Sequence, residues 1–131
     1  MPAPTERIIP LLVYEDIPSA HDFLVQAFGF RPGGVERDGD GNAVHGEVYL
    51  GDQTIWLHRA LPEQGLGPPV RAGMVHGGTV VHVPDVDEHC ARAKAAGAMI
   101  TREPADQPYG QREYEARDAE GHRWWFATPT G

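Results

Sequence analysis

The stretch Gly78-Thr79-Val80-Val81-His82-Val83-Pro84-Asp85-Val86-Asp87-Glu88-His89-Cys90-Ala91-Arg92-Ala93-Lys94-Ala95-Ala96-Gly97 decides the fold. It opens as a β-branched run, passes through an aspartate and closes as a helical pattern ending on glycine. Asp85 is a natural N-cap, and Glu88 beyond it makes a capping-box-like pair. Val86, Cys90, Ala93 and Ala96 form a small apolar stripe at helical spacing. Gly97 suits a left-handed C-cap.

The same plan occurs about half a chain earlier. Ile8 to Ile17 is a β-rich run interrupted by Asp16, the second N-cap. Pro18 falls in the first turn, where a missing N–H does little harm. Ile17, Ala20, Phe23, Leu24, Ala27 and Phe28 share one helical face, and Gly29 closes the pattern.

Each helix is followed by three expected strands, near Phe30–Arg37, Ala43–Leu50 and Thr54–Arg59, then near Ala98–Glu103, Arg112–Arg117 and His122–Ala127. Asp38-Gly39-Asp40-Gly41-Asn42, Gly51-Asp52-Gln53 and Asp118-Ala119-Glu120-Gly121 supply turns. The expected fold is α+β, with two tandem βαβββ modules forming curved mixed sheets around a cavity. It is one domain over 1–131, with module one at about 7–60, a Gly/Pro-rich linker at about 61–76 and module two at about 77–128. One such unit leaves a sheet face uncovered, so the modules pair within a chain or swap across a homodimer.

The net charge is −8, from 11 Lys and Arg against 19 Asp and Glu. Acids are spread along the chain and bases are not clustered, which disfavours nucleic acid and an anionic membrane surface as partners. No apolar run is long enough to span a membrane. Met1-Pro2-Ala3-Pro4-Thr5-Glu6-Arg7 does not read as a secretory signal. Cys90 is the only cysteine, so no internal disulfide forms, and a cytoplasmic location is expected. Gly29-Phe30-Arg31-Pro32-Gly33-Gly34 fits no phosphate-binding loop and reads as a turn.

The second half closely resembles the glyoxalase/bleomycin-resistance/extradiol dioxygenase (vicinal oxygen chelate) superfamily. The resemblance rests on the opening stretch, on Pro108-Tyr109-Gly110-Gln111-Arg112, and on Asp118-Ala119-Glu120-Gly121-His122-Arg123-Trp124. Val44-His45-Gly46-Glu47-Val48-Tyr49-Leu50-Gly51-Asp52 is similar to the third strand of the glyoxalase-like subgroup. The resemblance implies the two-module fold but no single activity, because the fold hosts lyases, thiol transferases, dioxygenases and drug-binding proteins.

Metal-dependent members carry His or Gln in each module's first strand and Glu in its last. Those places fall here at Ile9, Gly78, Trp56 and Trp125, none of which ligates a metal through its side chain. No metal and no cofactor are therefore expected. A replacement set could be drawn from His45, Glu47, His58 and His82. His45 and Glu47 equally suit a hydrogen-bonded pair or a solvated face.

Trp56 and Trp125 hold equivalent places in the two halves. They fit two roles, core packing or an aromatic wall for a flat or cationic ligand. His58, His82, His45 and Glu47 would then be polar handles, and Tyr109 a cover at the cavity mouth. Trp124 is expected on the opposite face under a helix, His122 in a structural role, and Cys90 as a small buried residue. The sequence thus points first to a metal-independent protein that sequesters a hydrophobic or aromatic small molecule, in the manner of antibiotic-resistance members. The alternatives are a glyoxalase-like lyase or other metalloenzyme with a divergent site, and metal-free proton transfer by a His–carboxylate pair.

Overall fold

The computed structural model describes residues 6–131. Met1–Thr5, on which most of the leader reading rests, lie outside the described residues. The element order is β1 (Leu11–Tyr14), α1 (Ile17–Phe28), β2 (Arg31–Arg37), β3 (Ala43–Leu50) and β4 (Gln53–Arg59). A 3-10 turn (Pro62–Gln64) and a short helix α2 (Pro69–Ala72) occupy the linker. Then come β5 (Thr79–His82), α3 (Val86–Ala95), β6 (Met99–Gln107), β7 (Gln111–Arg117) and β8 (Arg123–Pro129). Each module is a four-stranded mixed sheet, ordered β1-β4-β3-β2 and β5-β8-β7-β6. The first strand of each runs parallel to the last.

The helices form where their caps say they should. The Asp16 carboxylate accepts the Ser19 N–H at 3.1 Å, and Asp85 accepts that of Glu88 at 3.2 Å. Gly29 ends α1 at φ 80°, a left-handed conformation that glycine adopts without steric cost. In α3 the stripe is shorter than expected: Val86, Cys90 and Ala93 are buried, but Ala96 is exposed. The segment read as a turn at 29–34 instead enters β2, with a register shift between Pro32 and Val35. β2 is an edge strand, where proline is tolerated because no neighbour needs its N–H.

The helices lie together, and one core joins the modules. The Phe28 ring of α1 meets Trp124 at 5.4 Å and Phe126 at 4.7 Å, both on β8. Trp124 is fully buried, as its alternation with Trp125 predicts. His89 of α3 bonds across the junction, its Nε2–H donating to the Phe28 carbonyl at 2.8 Å. Its Nδ1 then accepts the Tyr114 hydroxyl at 2.6 Å. The Asp118–His122 turn also grips module one. Asp118 Oδ2 accepts the Tyr14 hydroxyl at 2.6 Å, and the Glu120 carboxylate accepts the N–H groups of Glu15 and Asp16. His122 Nε2 donates to the Val13 carbonyl at 2.7 Å.

No helix among the described residues is long and apolar enough to cross a membrane.

Candidate functional site

With α1 and α3 on one side of the sheets, the opposite face of each remains free of both. In the first sheet that face carries His45, Glu47 and Tyr49 of β3 with Thr54, Trp56 and His58 of β4. The register puts Glu47 opposite Trp56 and His45 opposite His58, with Leu11 of β1 on the other flank of Trp56. Trp56 is 37 % exposed and meets the His45 ring edge-on at 5.4 Å.

Glu47 is the centre of a small network. It accepts the Tyr49 hydroxyl at 2.6 Å and pairs with His45 Nε2 at 3.1 Å. These two bonds, Tyr49 first, hold its carboxyl below the usual carboxylate range. The Tyr49 hydroxyl is correspondingly pushed up by the bond it donates. Arg31 of β2 stands 5.3 Å from the centre of the Tyr49 ring. His58 turns outward in part, its Nδ1 bonded to the Arg59 carbonyl at 2.7 Å.

The second sheet repeats the plan with other neighbours. Trp125 of β8 lies between Val80 of β5 and Glu115 of β7. Glu115 is buried and accepts the Thr101 hydroxyl at 2.8 Å. An added Cβ at Gly78 would collide with the Trp125 ring, so the indole covers the site from which a longer side chain would project. Tyr109, 65 % exposed, donates to Glu113 Oε1 at 2.5 Å, and Gln111 reaches the same oxygen at 2.9 Å. Val80, Tyr109, Gln111, Glu113 and Trp125 line an open hollow of about 340 Å³. His82 is exposed and contacts Gln111 at 3.3 Å.

The expected site residues therefore divide. His45, Glu47, Trp56 and His58 gather on the first sheet, and His82, Tyr109 and Trp125 on the second. No hydrogen bond links the two sets among the described residues. A groove of about 520 Å³ runs between the sheets and touches both faces, lined in part by Ile8, Pro10, Thr54, Val80 and His82. It contains neither tryptophan.

The residues present do not fit the family's metal. Ile9, Trp56, Gly78 and Trp125 offer no ligand atom. No group of three His, Cys, Asp or Glu side chains suited to a metal ion occurs among the described residues. His82, one of the proposed replacements, stands on the other sheet from His45, Glu47 and His58.

Sequence reasoning missed Glu115, Glu113, Leu11 and Val80 as members of these faces. The signal was available for Glu115: it repeats the placement of Glu47 opposite a tryptophan in the homologous strand.

Residues 8–126 match the family described as the Glyoxalase/Bleomycin resistance protein/Dioxygenase superfamily. Uncharacterized proteins of Mycobacterium bovis and Mycobacterium tuberculosis are 32 % identical over 123 residues. The match spans 92 % of this chain and 81 % or 72 % of theirs. Among solved structures, TioX from Micromonospora sp. ML1 is 34 % identical with a TM-score of 0.73, covering 95 % of this chain and 98 % of that one. A glyoxalase-related enzyme from Clostridium phytofermentans shares the fold at TM-score 0.73 and 17 % identity, over 97 % of each chain. With its two modules and its match over nearly all of its length, the chain belongs to the glyoxalase/bleomycin resistance protein/dioxygenase superfamily.

Proposed function

We propose that this chain is a metal-independent binding protein that sequesters a flat hydrophobic or aromatic small molecule, in the manner of the resistance members of its superfamily. The carrying observation is the replacement of both last-strand ligand positions by tryptophans on helix-free sheet faces. Leu11 at 45 % and Val80 at 58 % exposure extend those faces with apolar surface. Large apolar faces left open in one chain mark association surfaces. We infer that two copies pair so that the first sheet of one faces the second sheet of the other. Trp56 and Trp125 then form opposite walls of each of two equivalent sites. Glu47 and Glu113 make these walls suited to a cationic ring system.

The test is a tryptophan-fluorescence titration of chelator-free protein with bleomycin and with proflavine, a flat polycyclic cation, together with metal analysis. Quenching that saturates near one ligand per chain, and weakens in Trp56→Leu and Trp125→Leu, is expected. One tightly held divalent ion per chain would sink the reading. So would quenching that ignores both substitutions.

The His45–Glu47–Tyr49 network supports a second reading, metal-free proton transfer by the His45–Glu47 pair, in which Glu47 orients the imidazole that takes the proton. A reaction abolished in Glu47→Gln but unaffected by chelation would favour it.

A further inference from the structure

At the end of the second sheet away from Tyr109, Arg117 of β7 and Arg123 of β8 stand directly opposite one another. Both continue the helix-free face that carries Glu115 and Trp125. Together with Met99, and with Val70, Met74 and Val75 of the linker, they line a cavity of about 340 Å³.

Two guanidinium groups opposed across a ladder repel one another. Neither forms an ion pair among the described residues. The Nε of Arg117 is buried with no hydrogen-bond partner. A buried donor without an acceptor is costly, more so when charged. Asp118, the acid in the lining, does not relieve it. Its Oδ2 accepts Tyr14 and Trp124, and its Oδ1 accepts the N–H groups of Glu120 and His122.

The cavity thus joins two unpaired forks to an apolar wall rich in methionine. A planar anionic head would satisfy the forks, bidentate at either arginine. A hydrocarbon or aromatic body would fill the space along Val70, Met74 and Met99, where thioethers adapt to irregular shapes. With a net charge of −8, the chain repels anions at range, so affinity would come from contact at this site.

We propose that this cavity binds an amphipathic organic anion, with its carboxylate, sulfonate or phosphate head on Arg117 and Arg123 and its apolar body against the linker. The site shares no lining residue with the tryptophan walls and stands independently of the ligand proposed for them.

The full chain is titrated with 8-anilinonaphthalene-1-sulfonate and with N-phenyl-1-naphthylamine, the same ring system without the sulfonate. The sulfonate is expected to bind about tenfold more tightly. The double variant Arg117→Gln/Arg123→Gln should abolish that preference and leave the amine unaffected. If that variant does not fold, Arg123→Gln alone, which breaks no hydrogen bond in the structure, should reduce the preference. Equal affinities in the parent chain, or a preference that survives substitution, overturn the proposal. It also fails if the variants change the sedimenting mass while sulfonate affinity stays the same, because the arginines then meet acids of a second copy.

Discussion

His89 shows how one side chain can join two modules and set a pH limit. Burial pushes its imidazole below the ordinary value of 6.5, against the opposing pull of the Phe28 carbonyl. The folded state therefore favours neutral His89, while the unfolded chain protonates at about 6.5. Between those two values the unfolded state binds more protons, so stability falls as pH drops below about 6.5. Glu47, by contrast, withdraws its contribution only in the acid range, below the ordinary carboxylate value of 4.5. Urea unfolding midpoints measured from pH 7.5 to 5.5 should decline in the parent chain and decline less in His89→Gln. An unchanged slope in the variant would show that other histidines carry the effect. The role of His89 was not legible in the sequence because its partners lie 61 and 25 residues away. The two tryptophans were legible because the repeat maps one onto the other. The indole over Gly78 was not, because a glycine in a sequence does not show what occupies the space beside it.

Among the elements, the Asp118–His122 turn does more than reverse the chain. Its side chains hold β1 and the start of α1, and Glu120 alone satisfies two N–H groups there, at 2.6 and 2.9 Å. Asp16 is also the N-cap of α1, so the turn supports the helix start. Glu120→Ala should cost about 2 kcal/mol, the scale of losing hydrogen bonds to a charged acceptor. Thermal unfolding checks this, and a loss near zero would mean that water replaces the carboxylate. Sequence periodicity located the helices and the central strands well, because caps and alternation are local. It ended β6 near Glu103, whereas the strand runs to Gln107 through Pro104. Proline normally stops a strand, but β6 is an edge, and its register shifts on both sides of Arg102.

For the molecule as a whole, the two-module plan was readable because the chain states it twice. Which faces stay open was not, since that follows from the packing of α1 with α3 into one shared core. With both helix-free faces uncovered in a single chain, sedimentation should give a mass of about twice 14.3 kDa. Trp56→Glu combined with Val80→Asp should halve it. A parent chain sedimenting as a monomer at micromolar concentration would remove the paired-wall arrangement. The indole lying over Gly78 also bears on the history open to this chain. A histidine at 78 cannot enter while Trp125 is present, and a glutamate at 125 finds no partner while 78 is glycine. Neither change is useful without the other, so a ligand pair in this module requires two coordinated substitutions. A single substitution at either position therefore leaves the second module without a ligand pair, and variants of this chain reach one only by changing both together.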